Sequence, residues 1–367
     1  MWSRSDCSAS AVCQPRQLRV GKDVRVNELS VITIGSLTAE PGQVVRGFLD
    51  VGETVTGPVQ LPLVIINGFH PGPTLCLTGG VHATEYASIA AVMRLLNEIR
   101  PEDLHGCIVG VPVVSLHMFA ARLPFISPLD GVNLNKIAPG GDGSISAILA
   151  RALFDEVITK AQYHIDFHAG DFGEMLMAFA GYSLTGNEKL DREGEALARI
   201  FTPQVFCIAP QGTTLPPSPG FIAHAAAQKG VVSILAEAGG NGTMDEADIS
   251  VHVEGTRNVM RYLGMIEGVP RIFGPRILAT DWHNTRATRS GLLWLKVAVG
   301  ERVSEGQEVA EIWDVFGRTV EKVRAAKPGL AMLVWSNKAV NTGDPIVRCW
   351  SFKPAPPFPE TDRLQTD

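Results

Sequence analysis

Short apolar runs alternate with amphipathic stretches through most of the chain. Apolar runs bounded by glycine, proline or polar residues predict buried strands at 45–51, 61–68, 74–80, 107–114, 163–170, 204–210 and 231–240. Apolar positions at helical spacing predict helices at 85–99, 145–161, 189–201, 220–230 and 248–265. Strands and helices that alternate across short glycine-containing joints are typical of an α/β layered fold.

The pattern changes near residue 270. Residues 291–349 have no helical period and read as short strands with turn glycines, which predicts a small all-β barrel or sandwich. The pieces V-G-x-x-V-x-x-G and V-N-x-G-D-P resemble the barrel-sandwich folds of lipoyl and biotinyl carriers, but no carrier lysine motif is present. We therefore predict an irregular tail at 1–20, an α/β domain at 21–270 and a β-rich domain at 271–367.

Composition narrows the classes of partner and compartment. The net charge is −6 and no long run of one sign occurs, which argues against nucleic acid or an anionic membrane as the main partner. The six cysteines are scattered without a C-x-x-C pair, residues 1–16 lack an apolar signal segment, and no run of about eighteen apolar residues occurs. These features predict a cytoplasmic enzyme with free thiols and no membrane segment.

His82 and Glu85 form an H-x-x-E pair directly after the predicted strand at 74–80. Imidazole nitrogen and carboxylate oxygen are both zinc ligands, and catalytic zinc sites use three protein ligands with one position left open. The pair alone is a weak signal, because a surface histidine beside a glutamate in the first turn of a helix gives the same letters.

A third ligand is available in the strand YHIDFHAG at 163–170. Alternation along a strand puts His164, Asp166 and His168 on one face. His168 ends the strand, where open α/β sheets carry their sites, so we predict it as the third ligand and His164 as a structural residue. Asp166 either hydrogen-bonds a metal ligand and so orients it, without contacting the metal, or makes turn contacts.

Glu237 ends the predicted strand at 231–240, before two glycines. Burying a carboxylate there costs free energy unless the group is paired with another or has a catalytic role. Glu237 is therefore the candidate proton acceptor for a metal-activated water. The alternative is that its side chain simply extends into solvent. In the polar loop at 127–141, Asn133 and Asn135 are candidate hydrogen-bond partners of a substrate, and Lys136 is a candidate for an anion or oxyanion. Ordinary turn roles are the alternative for these three.

Four motifs carry a family resemblance; in chain order they are G-P-T-L-x-L-T-G-G-V-H-x-x-E, D-G-x-N-L-N-K-x-x-P-G, D-x-H and E-x-G-G. Over roughly residues 40–350 the chain resembles the succinylglutamate desuccinylase/aspartoacylase family of the zinc carboxypeptidase clan, and looks most like its N-acetyl-diaminobutyrate deacetylase branch. The resemblance implies a zinc-carboxypeptidase-like mixed sheet flanked by helices. It also implies one zinc per chain, held by His82, Glu85 and His168, with Glu237 as general base and with Asn135 and Lys136 at the substrate.

Several positions depart from the family pattern. Ala83 stands where a glycine is frequent, Lys136 where the family has arginine, and Ala138 where it has phenylalanine. Lysine cannot make a planar two-pronged contact with a carboxylate. A further substrate-binding arginine is expected before the D-G segment, where Arg122 is the nearest replacement. A bulkier or less acidic acyl amide is therefore an open alternative to an amino-acid-like substrate.

Together these observations predict a zinc-dependent hydrolase that cleaves the amide bond of a small N-acyl compound, such as an N-acyl amino acid, by metal-activated water. Lys136 or Arg122 would stabilise the oxyanion alongside zinc. The alternatives are a zinc carboxypeptidase acting on peptides and an esterase or amidase for a bulkier substrate. A non-enzymatic zinc or carrier module is disfavoured, because structural zinc sites fill all four positions and favour cysteine. A small acyl amide is the expected partner, and a homo-oligomer remains an open alternative to a monomer.

Overall fold

The computed structural model of the protein describes residues 28–202, 205–208, 220–271, 273 and 277–354. The tail predicted at 1–20 and the end of the strand predicted at 204–210 lie outside the described residues. The division of the chain near residue 270 stays a prediction.

Eleven strands and six helices precede residue 270 in the described part of the chain. The strands are β1 (Ile32–Ile34), β2 (Leu37–Ala39), β3 (Val44–Thr54), β4 (Gly57–Asn67), β5 (His70–Thr78), β6 (His105–Val111), β7 (Tyr163–His168), β8 (Glu174–Leu176), β9 (Phe179–Ser183), β10 (Val205–Ile208) and β11 (Val232–Glu237). The helices are α1 (Tyr86–Glu98), α2 (Leu116–Ala121), α3 (Ile145–Ala152), α4 (Glu188–Phe201), α5 (Ile222–Gln228) and α6 (Glu246–Tyr262).

The five predicted helices are confirmed as α1, α3, α4, α5 and α6. The segment predicted as one helix at 145–161 begins with α3 and continues through a π-helical turn (Leu153–Val157) and a 3₁₀ turn (Ile158–Lys160). Helix α2 and strands β8 and β9 were not predicted. They are three to six residues long, too short for a periodic pattern to develop.

Eight strands form one mixed sheet in the order β10-β9-β11-β7-β5-β6-β4-β3. The four central strands β11, β7, β5 and β6 run parallel, while β4 and β3 on one side and β9 on the other pair antiparallel with their inner neighbours. The predicted fold class, a mixed sheet flanked by helices, is confirmed.

Two apolar cores cover the two faces of this sheet. Helices α1, α4 and α6 pack on one face, through buried side chains such as Leu95, Leu197 and Val259. Helices α3 and α5 pack on the other, where Leu149 and Ile222 belong to the second core. Because both faces are covered, all six residues of β7 are buried and the polar ones among them must find partners inside the protein.

The C-terminal part of the described chain is all β, as predicted. Its strands are β12 (Ile277–Arg286), β13 (Gly291–Leu295), β14 (Arg302–Val303), β15 (Glu308–Trp313), β16 (Thr319–Arg324), β17 (Gly329–Trp335), β18 (Ala339–Val340) and β19 (Pro345–Pro354). They form a sheet in the order β12-β19-β17-β14 and a second in the order β16-β15-β13-β18, with a separate apolar core. Strand β8, which follows β7 in the chain, adds to the first of these sheets by pairing with β17.

Cys76, Cys107 and Cys349 are buried and free, which agrees with the prediction of free thiols for these three. Among the helices of the described residues, none combines the length and the apolar character that crossing a bilayer requires.

The central sheet should depend on tight packing of β6. Val109 is 1% exposed in this strand, whereas Val55 is fully exposed at the β3–β4 turn. Val109→Ala removes two methyl groups from a close-packed core, and we expect it to lower the free energy of unfolding by about 2–3 kcal/mol. Val55→Ala removes the same atoms from the surface and should change it by less than about 0.5 kcal/mol. Urea unfolding of both variants measures the difference; equal effects would contradict the packing described here.

Candidate active site

Three strand ends and one helix start meet at one edge of the mixed sheet. Strands β5, β7 and β11 are adjacent and parallel, so the residues that leave their carboxyl ends emerge side by side. His82 lies in the turn after β5 and Glu85 immediately precedes α1. His168 is the last residue of β7, and Glu237, the last residue of β11, is its register partner.

Glu85 joins the two histidines through its two carboxylate oxygens. Its Oε1 lies 2.8 Å from His82 Nδ1, and its Oε2 lies 2.9 Å from His168 Nδ1. The backbone N–H of Ala169 donates to Oε2 at 3.0 Å. One ligand-type atom from each of His82, Glu85 and His168 lies within 4.8 Å of the others, and all three residues are buried. Their ligand atoms therefore face one small volume.

The second ring nitrogen of each imidazole, the Nε2 atom, lies close to a side-chain oxygen. His82 Nε2 lies 3.2 Å from Asn133 Oδ1, and His168 Nε2 lies 3.2 Å from Asp166 Oδ2. An imidazole that donates its Nε2–H to an oxygen presents the Nδ1 lone pair to a metal. The donor set and its supports therefore fit a divalent cation bound by two Nδ1 atoms and one carboxylate.

The charges around these groups also favour a cation. Burial pushes the pKa of Glu85 upward, but the positive charges of His168 and His82 outweigh it and lower that pKa to about 2. Burial opposes charge on His168, yet Glu85 and Asp166 raise its pKa well above its usual value. The buried carboxylates thus hold positive charge in the volume between the ligands, which is the charge that a metal ion would supply.

Glu237 carries an unpaired oxygen beside this cluster. The residue is half-buried, and its Oε2 is shielded from solvent without a hydrogen-bond partner among the described residues. Burial raises its pKa well above the usual value; His168 opposes this, while Glu85 and Glu174 add to it. A carboxylate with a raised pKa and a free oxygen is suited to exchanging protons. Its role as general base stays a prediction.

His164 lies deeper in β7 and makes structural contacts. Its ring nitrogens lie 2.9 Å from Thr78 Oγ1 and 2.9 Å from Ser233 Oγ. Burial lowers its pKa to about 4, so the ring is neutral. The Thr78 hydroxyl also donates to Asp166 Oδ1 at 2.7 Å, which holds Asp166 in place behind His168. The structural role of His164 and the ligand-orienting role of Asp166 stay predictions.

The residues predicted at the substrate fall into two groups. Asn133 and Asn135 adjoin the histidines: Asn133 faces His82, and Asn135 Nδ2 lies 3.4 Å from His168 Nε2 while its Oδ1 accepts from the Ile222 N–H at 3.0 Å. The side chains of Lys136 and Arg122 are exposed and make no hydrogen bond or ion pair with the described residues. The substrate contacts of all four stay predictions.

The sequence did not predict the aromatic side chains that lie near His82 and Glu85. Phe125 lies edge-on to His82, with ring centroids 5.1 Å apart. The ring centroid of Tyr86 lies 6.1 Å from that of Phe119 and 6.2 Å from that of Phe172. Phe119 and Phe172 are 37% and 44% exposed, so apolar surface lies beside Tyr86, the residue that follows Glu85. Phe119 belongs to a short helix and the other two phenylalanines to loops, and no periodic pattern in the sequence brings them together.

Two glycines after Glu237 permit a close approach of backbone segments. Gly239 has φ +103°, a conformation that side chains with a Cβ rarely adopt. A Cβ on Gly240 would lie 2.7 Å from the Glu174 carbonyl oxygen and 2.9 Å from Met175 Cα. The E-x-G-G motif therefore lets β8 pass directly over the loop that follows the candidate base.

Comparisons with known proteins identify the family of this chain. Residues 71–263 match the model of the succinylglutamate desuccinylase/aspartoacylase catalytic domain. The N-alpha-acetyl-L-2,4-diaminobutyric acid deacetylase of Halomonas elongata is 27% identical over 320 residues, which covers 84% of this chain and 91% of that protein.

Solved structures extend the similarity to the whole fold. A succinylglutamate desuccinylase from Silicibacter sp. TM1040 has a TM-score of 0.74 and 25% identity, covering 90% of this chain and 100% of that one. The product-bound ectoine utilization protein EutE (DoeB) of Ruegeria pomeroyi has a TM-score of 0.76 and 22% identity, and the match covers 88% of this chain and 99% of that one. Since the matched catalytic domain spans more than half of the sequence, the chain belongs to the succinylglutamate desuccinylase/aspartoacylase family.

Proposed function

We propose that this protein hydrolyses the amide bond of a small N-acyl amino acid or a closely related acyl amide. The observation that carries the proposal is the buried group of His82, Glu85 and His168 with the unpaired carboxylate oxygen of Glu237 beside it. Three ligands leave one coordination position open, as hydrolysis requires. The family membership supports the same reaction class.

We assign the metal as a single zinc ion held by His82, Glu85 and His168. When bound, zinc polarises a scissile carbonyl and lowers the pKa of a water molecule toward about 7. Asn133 and Asp166 keep the two imidazoles oriented through their Nε2 atoms. The three-ligand donor set without cysteine is one that catalytic zinc sites use.

Glu237 has the proton-transfer role in this proposal. Its carboxylate takes a proton from the attacking water and passes it to the leaving nitrogen of the amide. The absence of a hydrogen bond to Oε2 within the described residues supports this, because nothing there competes for the proton. Lys136 or Arg122 would stand at the developing oxyanion, since each is an exposed cation without a partner in the described structure.

The names of relatives guide the choice of substrates to test. The Halomonas relative is a deacetylase of N-alpha-acetyl-L-2,4-diaminobutyric acid, so acetylated amino acids come first. The exposed rings of Phe119 and Phe172 beside Tyr86 support a second group, amides with a larger apolar acyl chain, because exposed apolar surface favours apolar ligands. A panel of N-acyl amino acids, N-acyl aromatic amines and small esters, tested on the zinc-loaded protein, separates these classes.

Replacement of a ligand should remove both metal and activity. His168→Ala deletes one of three ligands, and we expect zinc content to fall from about one per chain to a small fraction, with loss of turnover. His283→Ala is the matched control, because His283 lies on β12 with its Nε2 donating to the Lys327 carbonyl at 3.0 Å, and it should retain zinc. Elemental analysis and turnover are measured on the same preparations. Full activity of the wild type after complete chelation would contradict the proposal.

Replacement of the base should separate metal binding from catalysis. Glu237→Gln keeps the side-chain shape but cannot accept the proton, so we expect normal zinc content and a loss of kcat by about 10²–10⁴-fold. The comparison with His168→Ala is decisive, since only the ligand variant should lose metal. Near wild-type turnover by Glu237→Gln would assign proton transfer to another group.

A further inference from the structure

A guanidinium group is held between two indole rings on the C-terminal sheet. The Cζ atom of Arg348, on β19, lies 4.4 Å from the ring centroid of Trp282 and 5.2 Å from that of Trp335. Its Nε donates to Asn284 Oδ1 at 2.9 Å. Two aromatic faces and one amide oxygen therefore fix both the plane and the direction of this cation.

The terminal nitrogens of Arg348 remain free for another partner. No carboxylate of the described residues lies within 4.0 Å of the guanidinium, and Nε makes its one hydrogen bond within that part of the chain. Burial lowers the pKa of Arg348, and the charge of Glu174 offsets this only in part. A shielded guanidinium with a free planar edge is suited to a two-pronged bond with a carboxylate.

Glu174 links this group to the candidate active site. It lies opposite Trp335 in the β8–β17 pairing, and its carbonyl accepts from the Asn241 N–H at 2.7 Å in the loop after Glu237. The register across β17 places the side chains of Arg348 and Glu174 on the same face of this sheet. Arg348 therefore lies on the side of the C-terminal sheet that meets the loops following His168 and Glu237.

The Arg348 side chain is also more ordered before an anion binds than the side chains of the two cations near the predicted substrate loop. Lys136 and Arg122 are exposed and are held by no side chain of the described residues. Ordering a long free side chain on binding costs conformational entropy, whereas Arg348 is already ordered in the free protein.

We propose that Arg348 binds the carboxylate of the amino-acid part of the substrate. The C-terminal sheet thereby selects N-acyl amino acids over neutral acyl amides. This inference rests on the proposed hydrolase function and deepens it by naming a residue that selects among the proposed substrates.

The test compares each acid with its own carboxamide, which removes the negative charge and keeps the size. The probes are N-alpha-acetyl-L-2,4-diaminobutyric acid and N-acetyl-L-leucine, each with its α-carboxamide. The ratio of kcat/KM for acid over carboxamide is measured on the zinc-loaded full chain, and the dissociation constants of the same compounds are measured by calorimetry. Because both compounds of a pair meet one enzyme preparation, a misfolded fraction cancels in the ratio.

We expect the wild type to prefer at least one acid by about 10- to 100-fold, the range for a hydrogen-bonded charged pair. Arg348→Gln should abolish that preference, mainly by lowering kcat/KM for the acid. Arg348→Lys keeps the charge without the planar fork and should retain part of it. Arg324→Gln is the control: Arg324 lies on β16 of the second C-terminal sheet, is exposed and donates to the Gly306 carbonyl, so the preference should persist.

The possible outcomes separate this inference from the function on which it rests. Absence of turnover on these probes and on the whole substrate panel, with an acid preference in binding that Arg348→Gln removes, would defeat the hydrolase proposal and leave the role of Arg348 standing. An acid preference unchanged in Arg348→Gln would overturn the inference, and so would a wild type that binds no acid better than its carboxamide. Equal losses for acid and carboxamide would assign Arg348 a purely structural role and overturn it as well.

Discussion

The carboxylate of Glu85 is the interaction on which the site depends. It lies buried between two strand ends and the start of α1, and its two oxygens reach His82 and His168 at 2.8 and 2.9 Å. A buried carboxylate is tolerated only with charged or hydrogen-bonding partners, and here these are two imidazoles and the Ala169 N–H. This requirement explains why β5, β7 and α1 must meet at one point, and why the volume between them suits a cation.

Further residues surround the two imidazoles and connect them to the rest of the protein. Asn133 Oδ1 and Asp166 Oδ2 each lie 3.2 Å from the Nε2 atom of one imidazole, and the Thr78 hydroxyl donates to Asp166. The loop after His168 then leaves the mixed sheet and joins the C-terminal sheet as β8, in a close approach that Gly240 permits. The two parts of the protein are thus coupled at the candidate site itself, so the C-terminal sheet can take part in substrate selection.

Much of the fold and part of the site could be predicted from local patterns. Alternation along 163–170 put Asp166 and His168 on one face, and the parallel strand ends predicted that His82, Glu85 and Glu237 would lie near them. Strand β8 was not predictable, because three residues carry no periodic signal. Nor was Arg348, which reads as an ordinary polar residue of an alternating strand; its significance comes from Trp282 and Trp335, which are distant in sequence.

An anomalous-difference crystal map at the zinc edge tests most directly whether His82, Glu85 and His168 bind zinc. Crystals of the zinc-loaded protein should show one peak per chain within about 2.0–2.2 Å of His82 Nδ1, His168 Nδ1 and a Glu85 oxygen, with Glu237 outside bonding distance. A peak bound through the Nε2 atoms, a peak elsewhere in the chain, or Glu237 as a fourth ligand that closes the site would contradict this account.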